Sequence, residues 1–245
     1  MIISSVTGST EEMVRVVDMA KKMGVRIFGF IDVTTAELAK KMDYLVAYPM
    51  NEQLKLLMTA HRFMANNKEF ADYERFYGEM DKHLAKALVE TEKKADAMAV
   101  EFVREHHDDP MHYFVGAGSL YGAVYSYAMC FWEEQHWRRS KSIHSAEFLH
   151  GTLEIIDRDS AVTVFVGEDE QRELGVRVAK FLPRICGRYT VIDTKDYPLT
   201  GISPEFRGLI SHLVFRAIIP RIDAHMEHVN RHPVEIRRYY RRLEY

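Results

Sequence analysis

The spacing of apolar residues changes twice within the first thirty positions of the chain. Residues 1–5 form a short apolar run with two isoleucines, and a turn of small residues follows at positions 7–10. Apolar side chains then recur every three or four positions until Gly24, and residues 25–31 form a second apolar run. A short run predicts a strand, and a three-to-four spacing predicts a helix. The opening of the chain is therefore predicted to be a βαβ unit with two parallel strands.

The next part of the chain has helical spacing almost throughout. Residues 51–65 predict one helix, and from Phe70 to Phe102 apolar side chains again recur every three or four positions. Such a stripe usually faces a core or another subunit. We interpret residues 69–109 as a helix that connects two α/β parts, the first of them at residues 1–68.

Strands and helices alternate again in the second half. The predicted strands are 112–116, 141–143, 162–166 and 189–192, and the predicted helices are 119–135, 170–182 and 204–228. This alternation is typical of a doubly wound parallel sheet, whose ligands bind at the carboxyl ends of the strands. We place the second domain at residues 110–230 and interpret residues 231–245 as a carboxyl-terminal tail.

The first domain offers few strands for a doubly wound sheet. It begins directly with a strand and the turn at 7–10, so we expect an incomplete amino-terminal half, either in a short protein or in a fragment of a longer one. The second half is expected to be complete. The sequence therefore predicts an α/β protein with one partial domain, long connecting helices and one full domain.

Composition and charge narrow the classes of partner. The 245 residues carry a net charge of −3, and 47% of them are hydrophobic. This balance gives no general positive field for nucleic acid or an anionic membrane. No apolar run approaches the roughly 18 residues that a membrane helix needs, and Cys130 and Cys186 form no metal-binding or redox motif. We expect a cytoplasmic protein without nucleic-acid or membrane partners.

Hydroxyl groups and one glycine lie between the first predicted strand and helix, at Ser5, Thr7, Gly8 and Thr10. The first amides of a helix have no partner within it and attract anions, so this loop is a candidate phosphate site. The loop has no lysine of the Walker type and no G-x-G-x-x-G pattern for a dinucleotide. Helix capping by Ser9 or Thr10 explains the same residues equally well.

Titratable groups are concentrated at residues 131–155, where a predicted helix ends and a polar turn follows. Six carboxylates and imidazoles lie within residues 133–150 of this stretch: Glu133, Glu134, Glu147, His136, His144 and His150. General acid and base catalysis requires such groups, although a solvated helix end followed by a polar loop has the same composition. A polar helix end before proline explains the run His-His-Asp-Asp-Pro at 106–110, and we expect no metal or cofactor.

Two sequence patterns resemble a known family. The loop S-x-T-G-x-T-x-E at residues 5–12 is similar to the S-x-S-G-x-T-x-[DE] loop of the sugar isomerase (SIS) fold, whose hydroxyls bind the phosphate of a phosphosugar. Glu134 lies sixteen residues before His150, and Gly151 follows His150 directly. This spacing resembles the E-x(15)-H-G element shared by the isomerase half of glucosamine-6-phosphate synthase and the fructosamine-6-phosphate deglycases.

The deglycases are similar in two further stretches. Residues 143–151 have the sequence I-H-S-A-E-F-L-H-G, and residues 232–245 match H-P-x-x-x-R-R-Y-x-x-x-x-E-Y. The resemblance covers essentially the whole chain, although it begins inside the first SIS domain of the family. It implies that the carboxyl-terminal tail at 231–245 folds toward the active site. Thr7 stands where the family usually has serine and keeps the hydroxyl, whereas Thr152 replaces the usual proline after H-G.

The resemblance implies a role for each residue. Glu134 would be the base, and His150 would be the acid that helps to open the sugar ring or protonates the leaving group, with Glu147 in support. The turn with Gly118 and Ser119 resembles the sugar-side loop of the family, although a tight turn capped by Ser119 explains it as well. In this fold the histidine often acts across a dimer interface, so a homo-oligomer is expected.

The function implied is a deglycase that hydrolyses a fructosamine 6-phosphate to glucose 6-phosphate and an amine or amino acid. Moving a proton between sugar carbons C1 and C2 needs one base and one acid, and no metal. Two other functions stay open, a phosphosugar aldose/ketose isomerase and a non-catalytic phosphosugar-binding module. No single residue identifies the amine.

Overall fold

Two parallel sheets carry the part of the chain that the structure describes. The structure is a computed structural model, and it describes residues 1–48, 51–240 and 242–244. The chain divides into two compact units, Met1–Tyr73 and Glu74–Tyr245, and each sheet lies in its own unit.

The first unit contains the predicted βαβ opening. Its elements are β1 (Ile2–Ser5), α1 (Glu11–Lys22), β2 (Phe28–Ile31), α2 (Glu37–Lys40), β3 (Tyr44–Val46) and α3 (Glu52–Asn66). The strands pair in parallel in the order β1-β2-β3. Val17 of α1, Ile31 of β2 and Leu38 of α2 are fully buried in one cluster, so the helices cover one face of this sheet.

Gly8 fixes the turn between β1 and α1. Its φ of +63° belongs to the left-handed region that favours glycine. Its amide donates to Ser5 Oγ at 3.1 Å, and its carbonyl accepts the Leu38 amide at 3.2 Å. A Cβ atom at this position would lie 2.7 Å from Ala36 Cβ and 2.8 Å from Ile31 Cγ2. The loop with the candidate phosphate groups therefore depends on this glycine.

We expect Gly8→Ala to lower the free energy of unfolding of the first unit by about 2 to 4 kcal/mol, because strain and two close contacts add. Gly24→Ala is the matched control. Gly24 also has a positive φ, +74°, but no atom lies within 4 Å of the place that a Cβ would take, so only the backbone strain of about 1 kcal/mol applies. Urea unfolding followed by circular dichroism measures the free energy of unfolding of both variants. Equal losses of free energy in Gly8→Ala and Gly24→Ala would contradict the steric explanation.

The second unit is built around a long helix and a four-stranded sheet. The helix comprises α4 (Tyr73–Glu79), a π-helical turn (Met80–Leu84) and α5 (Ala85–His106). The strands are β4 (His112–Gly116), β5 (Ser140–His144), β6 (Ala161–Val166) and β7 (Arg188–Asp193). The other helices are α6 (Tyr121–Ser126), a π-helix (Tyr127–Glu133), α7 (Ser145–Phe148), α8 (Arg172–Phe181), α9 (Pro204–Arg207) and α10 (Ser211–Asn230).

The long helix packs against α10. Asp96 of α5 accepts hydrogen bonds from Arg221 at 2.6 Å and from His225 at 2.9 Å, both on α10. A helical segment thus runs from Tyr73 to His106, within the predicted range 69–109, and its role as a connecting helix stays a prediction. The domain limits at residues 68, 109 and 230 stay predictions.

The second sheet has the strand order β5-β4-β6-β7, with every neighbouring pair parallel. Aromatic side chains fill one face, where Phe165 packs on Phe215 at 4.7 Å and Phe114 packs on Trp132 at 4.9 Å between ring centroids. Aliphatic residues of the other face pack on Val178 of α8. Helices on both faces make this a doubly wound α/β sheet, so the predicted fold class is confirmed.

A buried polar network joins the end of α5 to the sheet. Asp109 Oδ2 lies 2.8 Å from His106 Nδ1 and 3.0 Å from His112 Nδ1, and Asp109 Oδ1 lies 2.5 Å from a guanidinium nitrogen of Arg188. The Nε2 atom of each imidazole lies within hydrogen-bonding distance of a threonine hydroxyl. The distance is 2.7 Å from His112 to Thr163 Oγ1 and 3.3 Å from His106 to Thr190 Oγ1. The three residues His106, Asp109 and His112 are grouped closely enough to hold a metal, but hydrogen bonds in which both imidazoles donate through Nδ1 already account for the contacts of the two rings with Asp109.

Burial and hydrogen bonding shift the pKa values of Asp109 and His112 in this network. Burial by itself raises the pKa of Asp109, but the hydrogen bonds from His106 and His112 outweigh it, and the pKa lies well below its usual value. Burial lowers the pKa of His112 to about 4, and the hydrogen bond to Asp109 only partly opposes this. The folded state therefore contains an ionised Asp109 and a neutral His112 at pH 7.

Candidate functional site

A π-helix positions Glu134. The helix that begins after β4 widens at Tyr127–Glu133, and the amides of Glu134 and His136 donate to carbonyls five residues earlier, on Met129 at 3.1 Å and on Phe131 at 2.9 Å. Trp137 then takes a positive φ of 55° and ends the helix. Single π-helical turns occur frequently at functional sites.

The turn after this helix borders a cleft of about 350 Å³. The cleft is lined by Glu133, Glu134, Trp137, Arg138, Arg139, Arg237, Arg238, Tyr239 and Tyr240. Four guanidinium groups and two carboxylates give it an excess of positive charge, while the aromatic rings supply apolar surface. The cleft therefore suits an anionic organic molecule beside a carboxylate.

The carboxyl-terminal tail packs across this turn. His232 Nε2 donates to the Gln135 carbonyl at 2.9 Å, and its ring lies 4.1 Å from the Trp137 ring. The Arg238 guanidinium lies 4.1 Å from the centroid of the Trp137 ring. Trp137 is thus held between two tail side chains.

Glu134 contacts the tail directly. Arg237 Nε donates to Glu134 Oε1 at 2.9 Å, and both side chains are partly buried, at 20% and 30% exposure. Oε2 of Glu134 has no hydrogen-bond partner among the residues that the structure describes. One carboxylate oxygen is therefore fixed and the other is available to a bound molecule.

Three of the other titratable groups of this segment have structural roles. His136 is buried and lies 3.0 Å from Asp223 Oδ1, where burial raises the pKa of Asp223 and the hydrogen bond from His136 partly opposes it. His144 Nδ1 accepts the Ala146 amide at 3.3 Å and caps α7. Glu133 is exposed and accepts a hydrogen bond from Ser140 Oγ at 3.3 Å.

His150 and Glu147 lie at and beyond the short helix α7. Both are exposed, and the hydrogen bond between them joins the His150 amide to the Glu147 carbonyl at 3.0 Å. No side-chain hydrogen bond joins the two within the described part of the chain. The predicted support of the His150 ring by Glu147 therefore stays a prediction.

The structure does not bring Glu134 and His150 together within one chain. Glu134 precedes β5 and His150 follows it, and a strand of five residues is about 16 Å long. His150 is not among the residues that line the Glu134 cleft. The spacing of sixteen residues thus encloses one whole strand, and the pairing of Glu134 with His150 stays a prediction.

The structure gives Gly118 and Ser119 partners within the chain, away from Glu134. They follow the carboxyl end of β4. Because β4 and β5 are parallel, this is the opposite end of the strands from the start of β5, which follows Glu134. The Ser119 amide already donates to Asp169 Oδ2 at 2.6 Å, and the Gly118 amide donates to Gln171 Oε1 at 3.2 Å. Because a carboxylate occupies the Ser119 amide, a phosphate would have to displace it, and substrate binding by Gly118 and Ser119 stays a prediction.

The loop of the first unit keeps its anion-binding groups. Ser9 Oγ donates to Thr7 Oγ1 at 3.0 Å, and Ser5 Oγ accepts the Gly8 amide. Thr10 is the N-cap residue of α1, but its hydroxyl makes no capping hydrogen bond. The helix amides are therefore not capped by Thr10, as an anion site requires.

The fold defines the structural class: the chain has the sugar isomerase fold. A phosphosugar isomerase structure from Bacillus subtilis superimposes with a TM-score of 0.91 at 24% identity, covering 100% of this chain and 76% of that one. The C-terminal domain of glucosamine-fructose-6-phosphate aminotransferase from Francisella tularensis superimposes with a TM-score of 0.72 at 14% identity, covering 95% and 71%.

Curated relatives agree with the resemblance found in the sequence. The fructosamine deglycase FrlB of Bacillus subtilis is 26% identical over 255 residues, which cover 100% of this chain and 76% of FrlB. The fructoselysine 6-phosphate deglycase of Escherichia coli is 22% identical over 244 residues, covering 95% and 68%. No family model matches the sequence. In the described part of the chain, no helix is both long and apolar enough to cross a membrane.

Proposed function

We propose that this protein is an enzyme that hydrolyses a fructosamine 6-phosphate to glucose 6-phosphate and an amine or amino acid. The observation that carries the proposal is Glu134, which has a free carboxylate oxygen in an arginine-lined cleft. Glu134 also occupies the position of the catalytic glutamate in the pattern shared with the deglycases. The similarity to FrlB over the whole chain supports the same activity.

Glu134 is proposed to move one proton within the open-chain substrate. Its free oxygen takes a proton from C1, which carries the amine, and the C1–C2 double bond of an enolamine forms as the C2 carbonyl becomes a hydroxyl. Return of a proton to C2 leaves a C1 imine, water adds to C1, and the C1–N bond breaks to release the amine. The sum is substrate plus water to glucose 6-phosphate plus amine, without an oxidant or reductant.

The remaining groups divide the other tasks. We propose that the hydroxyls and amides of residues 5–12 bind a phosphate and, separately, that Arg138, Arg139 and Arg238 of the cleft attract an anionic substrate. His150 of a second copy would open the sugar ring or protonate the leaving amine, because the first copy keeps its own His150 on the other side of β5. We propose a homo-oligomer on these grounds, and a cytoplasmic location because both cysteines are free thiols.

The test is a product assay on the wild-type protein. Fructoselysine 6-phosphate and the corresponding aspartate adduct are the probes, glucose 6-phosphate is measured with a coupled dehydrogenase, and the free amino acid is measured by chromatography. We expect one glucose 6-phosphate and one amino acid for each substrate consumed. Interconversion of fructose 6-phosphate and glucose 6-phosphate alone would favour an isomerase, and tight binding of phosphosugars without turnover would favour a binding module.

A further inference from the structure

We propose that Arg237 is a positioning residue for Glu134, an inference that rests on the proposed function. Its Nε–H donates to Oε1 of Glu134 at 2.9 Å, and both residues line the cleft, so this contact would leave the second oxygen for the substrate. The two residues are 103 positions apart in the sequence. The tail thus supplies the group that orients the base.

The Arg237 guanidinium is itself fixed. Its NH1 group donates to the backbone carbonyls of Val234 and Ile236, the latter at 3.2 Å. Both carbonyls belong to the tail, so the planar guanidinium bridges the tail backbone and the Glu134 carboxylate. Arginine can do this because its donors lie in one rigid plane, whereas the lysine ammonium is a point charge on a flexible chain.

The tail is anchored beside this contact. His232 donates to the carbonyl of Gln135, the residue after Glu134, and Trp137 packs on both His232 and Arg238. These contacts lie on either side of Arg237 in the tail. Arg237 is therefore presented to Glu134 by a segment attached on both flanks.

An arginine that orients the base has a distinct kinetic effect. A carboxylate that loses its fixed orientation still lies in the same cleft, but it reaches the substrate proton less often, and a misplacement of about 1 Å can cost about 100-fold in rate. We therefore expect the loss in kcat and not in KM. An arginine that bound the substrate anion would change KM instead.

The experiment is a double-mutant cycle on the full chain with a fructosamine 6-phosphate. Arg237→Gln is expected to lower kcat by about 10- to 100-fold with less than about a threefold change in KM. In the Glu134→Gln background, the same change is expected to cost less than about twofold, because the group it positions is gone. Arg237→Lys is expected to recover part of the loss. The matched control Arg231→Gln, which removes an exposed guanidinium at the start of the tail and outside the cleft lining, is expected to change kcat by less than about threefold.

Three outcomes separate the possibilities. Full activity of Arg237→Gln, or an equal loss with and without the Glu134 carboxylate, would overturn the positioning role while the proposed function stands. Absence of glucose 6-phosphate with the wild-type protein would overturn the proposed function and this inference with it. Thermal unfolding of each variant shows that it is folded, and Arg237→Lys carries the comparison if the glutamine variant is not.

Discussion

Glu134→Gln is expected to lower the rate of glucose 6-phosphate release by at least about 100-fold, the usual contribution of a general base. The amide has nearly the shape of the carboxylate but cannot accept a proton. It can still accept a hydrogen bond from Arg237, so the cleft should keep its structure and KM should change little. His150→Ala is expected to cost at least about 100-fold for the matching reason, since it removes the acid.

Glu133→Gln is the control for this prediction. Glu133 borders the same cleft and has the same charge, but it is exposed and accepts a hydrogen bond from Ser140. Its loss should cost less than about tenfold, because it changes only the local charge. Equal losses at residues 133 and 134 would mean that the charge of the cleft matters and that no single base is present.

Acidification is expected to destabilise the second unit through His112. Its pKa is about 4 in the folded protein, against an ordinary value of 6.5. Between these values the unfolded chain binds a proton that the folded chain does not, so the free energy of unfolding falls as the pH falls. We expect a loss of about 2 to 3 kcal/mol between pH 7 and pH 4.5 from this one group. Asp109 adds nothing in this window, because its pKa is lowered and its contribution is lost only below 3.8.

His112→Asn tests the assignment. The amide can donate a hydrogen bond toward Asp109, but it does not titrate. The variant should be less stable at pH 7, and its further loss at pH 4.5 should be smaller than that of the wild-type protein by about 2 kcal/mol. Urea unfolding followed by tryptophan fluorescence measures this directly, because Trp132 and Trp137 both lie in the second unit. If the wild-type protein and His112→Asn lost the same free energy of unfolding between pH 7 and pH 4.5, the acid sensitivity would belong to other groups.

The regular part of the fold was predictable because each element has a strong local pattern. The βαβ opening and the alternation after Pro110 follow from apolar spacing alone, and β4 occupies the predicted residues 112–116. The helix predicted at 119–135 was also found, but it is a π-helix over Tyr127–Glu133. Apolar spacing does not distinguish these two helix types over two turns, since both bury nearly the same side chains.

The sequence patterns gave Glu134 as a candidate base, and that role stays a prediction. They gave no role to Arg237, because its ion pair with Glu134 joins distant parts of the chain and no local pattern reports such a contact. The spacing of Glu134 and His150 suggested a pair, whereas the strand between them separates the two within one chain. The polar run at 106–110 gave no sign that His106 and Asp109 would be buried in one network.

The most direct test combines two inactive variants in one dimer. Glu134→Gln and His150→Ala chains, each with a different affinity tag, are co-expressed and purified through both tags, so that every dimer contains one of each. One of its two sites then has an intact Glu134 from one chain and an intact His150 from the other. We expect about half of the wild-type rate of glucose 6-phosphate release from this mixed dimer. A rate no higher than that of either variant alone would contradict a site that is shared between two copies.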